Sequence, residues 1–172
     1  MNVQEAVRVQ LGFWHGTLDG MMQECGGDVL HKTVAGSTAN SIAAIYVHGV
    51  IAEDVIVHAM LQEKPPLYVA GGWEAKTAVA FPGVPPQMTA EWAAAVKLDL
   101  ATFQPYAQAV YAATDAYLAG LPDGAIDKKM QTPLGEQTLG WMVAALLGTH
   151  PVGHAGEIAA LKGVFGLQGL PF

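Results

Sequence analysis

Apolar side chains recur at spacings of three and four along most of this chain, and polar or Gly/Pro-rich segments separate the recurrences. Val7, Leu11, Trp14, Leu18, Met22 and Cys25 form the first stripe, the mark of an amphipathic helix, which Gly26 and Gly27 end. A second helix is expected from about Asn40 to Gln62. Asn40 or Ser41 would cap it, since a short side-chain oxygen accepts a free backbone N–H there, and Pro65 and Pro66 would stop it. The third is expected from Thr89 to about Ala119, kinked at Pro105, which removes one backbone hydrogen bond. The fourth runs from about Glu136 to Phe165. Residues 63–88 and 120–135 carry repeated Pro and Gly and read as irregular connections. Strands are not expected, because β-branched alternation is weak and no Asn-Gly or Asp-Gly joins two alternating apolar runs. The pattern predicts an all-α protein, a four-helix bundle with long connections forming a single domain over residues 1–172.

Composition narrows the function. With 52% hydrophobic and 13% charged residues the chain has the makings of a buried core. Its formal charge of -7, with no cluster of Lys and Arg, argues against a nucleic-acid partner. The single cysteine, Cys25, excludes an internal disulfide and a CxxC redox pair and fits a reducing cytoplasm. It ends an apolar stripe with no basic neighbour in sequence, so packing is its expected role. The N-terminal residues carry charges where a leader would have an apolar run. Val34–Ala52 and Gln137–Gly156 are uncharged and reach the ~20 residues of a membrane span. Their Ser, Thr, Asn, His, Pro and Gly content favours buried helices, so a soluble cytoplasmic protein is expected.

Three of the six histidines fall on core faces. At about 100° per residue, His48 shares a face with Ala44, Ile45, Ile51, Ala52, Val55 and Ala59. His58 lies about a quarter-turn away, nearer the boundary. In the fourth helix His150 and His154 align with Val143, Leu147, Ile158, Leu161 and Phe165. A buried imidazole without a partner costs about 1–3 kcal/mol, and a shared metal ion would satisfy all three. An i, i+4 pair reaches one ion from one helix face, and a third histidine opposite leaves coordination positions open, as in catalytic sites. The competing reading is three core histidines bonded to hydroxyls or carbonyls. Pro151 lies between the pair. The unbroken phase of the apolar stripe predicts a bend near residues 147–150, eased by Gly148, with both histidines on one side. Glu157, one turn after His154, is the candidate for orienting a ligand imidazole or acting as a base; a solvated carboxylate is the alternative.

The segments AAIYVHGVIAEDVIVH and HPVGHAGEIAALKG, together with GGWEAKT and VYAATDAYLAGLPDGAI, resemble the DinB/YfiT-like metalloenzyme family. The resemblance spans nearly the whole chain and implies a bundle holding one divalent metal on His48, His150 and His154. It implies an enzyme that uses a low-molecular-weight thiol, such as mycothiol, bacillithiol or glutathione, in S-transfer or isomerisation of a small-molecule substrate. Zinc or nickel is the expected metal. The alternatives are a metal-dependent hydrolase and a non-catalytic, metal-stabilised bundle or homodimer module. The connection 63–88, with Trp73, is expected to line the mouth of the site.

Overall fold

The computed structural model describes residues 2–132 and 135–172. Four long helices form its frame: α1 (Val3–Glu24), α2 (Ile42–Asp54), α3 (Leu100–Ala119) and α4 (His150–Val164). They pack as a ring in which α1 touches α3 and α4, and α2 touches the same two. Helix α1 begins with a reciprocal cap: the Asn2 side chain accepts the Glu5 N–H at 2.9 Å, and the Glu5 carboxylate accepts the Asn2 N–H at 2.9 Å. Ser41 caps α2 through the Ala44 N–H.

Helix α2 is the centre of the molecule. Every residue from Ser41 to Val57 is buried except His48 and Gly49. The stretch Ile42–Met60 is long and apolar enough to cross a membrane, yet 83% of it is buried inside the protein, so its apolarity is that of a core helix. The helix widens into π-helical turns over Val55–Met60.

Three sequence expectations need correction. The third helix does not begin at Thr89. A short helix, Ala90–Ala95, is capped by Thr89, and α3 starts afresh at Leu100 under an Asp99 cap. Pro105 therefore lies in the second turn of α3, where the carbonyl it leaves unpaired, that of exposed Ala101, can turn to solvent. Residues from Glu136 are not helical either: β1 (Lys129–Thr132) and β2 (Gly135–Thr138) pair antiparallel, Thr132 opposite Gly135 and Lys129 opposite Thr138. Gly135 has φ of +92°, a conformation that favours glycine. The hairpin is exposed or half-buried along its length, so it lacks the apolar alternation that signals a strand. Pro133 and Leu134 of the expected connection lie outside the described residues.

The fourth helix arrives at α4 in three pieces. One α-helical turn, Leu139–Trp141, passes into π-helical turns over Met142–Leu147. The hydrogen-bond ladder then lapses at Gly148 and Thr149, although both keep right-handed helical dihedrals, and α4 begins at His150 with Pro151 in its first turn. Proline is tolerated there because first-turn N–H groups have no helical partner. Val143, Leu147, Ile158 and Leu161 stay buried across the lapse. A Cβ on residue 148 would sit 2.7 Å from the Ala144 carbonyl, so the turn requires glycine, and Gln10 of α1 donates to the freed Gly148 carbonyl at 2.8 Å.

The connection 63–88 is more ordered than its composition suggests. It contains helical turns at Leu67–Ala70 and Trp73–Thr77. Its anchor is Asp54, fully buried at the end of α2. The carboxylate accepts the Leu67 N–H at 2.9 Å, the Tyr68 N–H at 2.8 Å and the Tyr106 hydroxyl at 2.8 Å, and lies 2.7 Å from His58 Nδ1. Four partners saturate a charge that would otherwise be very costly to bury. Asp54→Ala is expected to destabilise the fold by roughly 3 kcal/mol or more, because it strands those donors inside the protein. Denaturant unfolding measures this, and a loss below about 1 kcal/mol would show the anchor to be dispensable.

Candidate metal centre

The opening in the burial of α2 is where the histidines meet. His48 projects from α2 toward the start of α4, with ring centroids 5.5 Å from His150 and 5.2 Å from His154; the latter two lie 4.4 Å apart. One ring nitrogen from each lies within 4.8 Å of the others, so the three could hold a metal ion. Gly49 admits the His154 ring: a Cβ there would touch its Cδ2 at 3.4 Å, and any larger side chain would press on it.

The hydrogen bonds orient these rings. Glu157 Oε2 lies 2.6 Å from His154 Nδ1. A carboxylate only accepts, so the His154 proton sits on Nδ1 and the Nε2 lone pair faces inward. There it meets His150 Nε2 at 3.1 Å. Two imidazole nitrogens so placed either share one proton or converge on a cation. The edge of a tetrahedral zinc site with bonds of about 2.0–2.1 Å is about 3.3 Å, close to this spacing. His48 Nδ1 is buried with no hydrogen-bond partner, an unmet group of the kind that three neutral nitrogen donors around a cation would explain. The Glu157 side chain is itself 55% exposed.

Burial, reinforced by the neighbouring His154, lowers the His48 pKa from 6.5 to about 4. Burial, then His154 and His48, lowers that of His150 to about 3. Both rings are therefore neutral, the ligating form, at neutral pH. Between pH 6.5 and these lowered values the unfolded chain binds protons that the folded chain does not, so stability is full above pH 6.5 and lost as pH falls toward 4 and 3. The melting temperature of metal-stripped protein should decline over that window. A His48→Gln/His150→Gln variant should flatten the decline; parallel curves for the two proteins would place the acid sensitivity elsewhere.

The other histidines are engaged apart from this cluster. His31 bonds the Gly27 carbonyl and the Leu98 N–H, His58 bonds Asp54, and His15 lies 2.8 Å from Glu53. Cys25 is buried, and burial pushes its thiol pKa up despite nearby Lys162, consistent with packing. Trp73 packs against Tyr106, ring centroids 5.5 Å apart, and the Lys76 ammonium lies over the Trp73 ring, 4.4 Å from its centroid. The cavity beside His154 is walled by Leu18, Ile45, Tyr46, Gly49, Glu53 and Tyr111 among others, all from the long helices and none from 63–88. The two buried acids Glu53 and Asp54 escaped the sequence reading. Their signal was present: two adjacent charges in an otherwise apolar helix must be buried with partners.

Residues 16–158 match the DinB superfamily. The chain belongs to this superfamily. The DinB-like fold is also that of a conserved protein from Enterococcus faecalis known from its crystal structure. The two align with a TM-score of 0.82 at 19% identity, over 96% of this chain and 99% of that one. No curated protein matches the sequence.

Proposed function

We propose that this protein is a divalent-metal enzyme, with zinc or nickel on His48, His150 and His154, that uses a low-molecular-weight thiol to transform a small-molecule substrate by S-transfer or isomerisation. The observation that carries the metal is the convergence of three ring nitrogens within 4.8 Å, with the His154 tautomer fixed by Glu157 and the His48 Nδ1 otherwise unmet. Membership of the DinB superfamily supports the same reading. A cation held by three neutral imidazoles supplies Lewis acidity, lowering the pKa of a thiol or water that reaches its open position.

The chain's own residues prepare that site. Glu157 holds the His154 ring and raises its basicity. Pro151 fixes the first turn of α4, so that His150 and His154 leave the helix one turn apart on one side. Gly49 brings α2 and α4 close enough for His48 to join them. Three protein ligands instead of four leave room for an exogenous group, and the half-exposed His48 and Gly49 mark where it enters.

Purified protein should contain one equivalent of zinc or nickel by elemental analysis. His48→Ala, His150→Ala and His154→Ala should each lose it, while His31→Ala keeps it. Glu157→Gln should weaken metal affinity by about 10- to 100-fold, the usual effect of losing a carboxylate behind a ligand histidine. Calorimetric titration should show a small thiol binding to loaded protein and not to stripped protein. Equal metal in all four alanine variants would refute the centre. Metal without thiol binding would favour hydrolysis.

A further inference from the structure

Beside His154 the bundle holds a second set of polar groups that the centre itself does not use. Glu53, 4% exposed, lines a void of about 10 Å³ together with Tyr46, Gly49, Tyr111, Pro151 and His154, the space of a single water molecule. Its two oxygens differ. Oε2 lies 2.8 Å from His15 Nε2, whereas Oε1 is buried with no partner. The His15 ring stacks on Tyr111 at 3.7 Å, the planes 9° apart, and these two residues also wall an outer cavity of about 190 Å³ reaching Arg8, Thr114 and Asp115. A carboxylate, an imidazole and a stacked ring thus lie between a water-sized void beside a candidate ligand and a cavity on another side of the bundle.

We propose that Glu53 and His15 form a proton relay that carries protons between the histidine centre and the outer cavity, through one water in the void. The inference rests on the metal and thiol reading above. A proton leaving the thiol S–H crosses the void water to Glu53 Oε1. It passes across the Oε2···Nε2 contact to His15, which releases one proton to solvent in the outer cavity. One proton enters and one leaves; no oxidant or reductant is involved. Gly49 and His154 both wall the void, which places it directly beside a candidate ligand. The groups around Glu53 are His15 from α1, Tyr46 from its own helix, Tyr106 and Tyr111 from α3, and His154 from α4, and Asp19 of α1 lies near His15. Asp19 is itself held by the Tyr46 hydroxyl at 3.1 Å and the Gln108 amide, so it is not the open acceptor. Glu53 Oε1 is.

The test is stopped-flow mixing of cobalt-loaded protein with β-mercaptoethanol, following the thiolate-to-cobalt absorption and, with an indicator dye, the released proton. Glu53→Gln should slow both signals by roughly tenfold or more, the scale of a lost general base, and leave cobalt content and final absorption unchanged. His15→Gln, whose amide can still donate to Glu53 but cannot pass a proton, should slow them likewise and serves if Glu53→Gln does not fold. Wild-type rates in a folded variant would overturn the relay while leaving the metal reading intact. Absence of the band in wild-type protein would overturn the metal and thiol reading, and the relay with it.

Discussion

A helix with no solvent face imposes one condition on everything around it: each polar atom it carries must find a partner inside the protein. Helix α2 is under that condition. It carries four polar side chains between Tyr46 and Asp54, and each meets a neighbouring element. Tyr46 donates to Asp19 of α1, Glu53 meets His15 of α1, Asp54 collects the donors of the 63–88 connection and Tyr106 of α3, and His48 faces the pair on α4. Apolar packing alone would let neighbouring helices slide by small amounts at little cost. Polar pairs at distances of 2.8–3.1 Å do not slide, since a buried donor displaced from its acceptor loses about 1–3 kcal/mol. The register of the bundle around α2 is thus held by the same kind of group that forms its candidate centre.

The difference among the four is satisfaction. Asp54 is saturated and anchors structure. Glu53 is half satisfied, with one oxygen free beside a void. His48 has a buried nitrogen with no partner at all, and it lies where the burial of α2 lapses. Incomplete satisfaction next to an opening distinguishes a group that awaits a ligand from one that holds a fold. By that criterion the functional side of α2 faces α4 and α1, and the structural side faces the connection and α3.

Much of this was legible in the sequence. The stripes of α1, α2 and α4 follow from apolar spacing, and the inward direction of His48, His150 and His154 followed from the same arithmetic. What stayed hidden lies outside that periodicity. The β1–β2 hairpin is solvent-exposed enough to need no alternation, and the start of α3 is set by the Asp99 cap inside a run that looks uniformly helical. The fixed shape of residues 63–88 depends on Asp54, distant in sequence and unremarkable beside Glu53 until both are known to be buried. Trp73 was drawn toward the site by the length of its loop; its contact with Tyr106 assigns it instead to the packing that Asp54 organises.

The stretch around Pro151 shows why a local rule can be broken to the benefit of a site. A continuous helix through residues 139–164 would have needed a Pro151 N–H for the Leu147 carbonyl, which proline lacks. The chain instead closes wide turns over Met142–Leu147, with the Gly148 N–H reaching Val143 O at 2.9 Å, and ends one helix so that another can begin. Starting α4 at His150 places the first ligand candidate in the first turn, where backbone N–H groups have no partners to lose. The second follows one turn later on regular helix, with Glu157 a further turn along to hold it. The proline that seemed to threaten the pair sits in the first turn of α4, so the separation of the two histidines is set by unbroken helix.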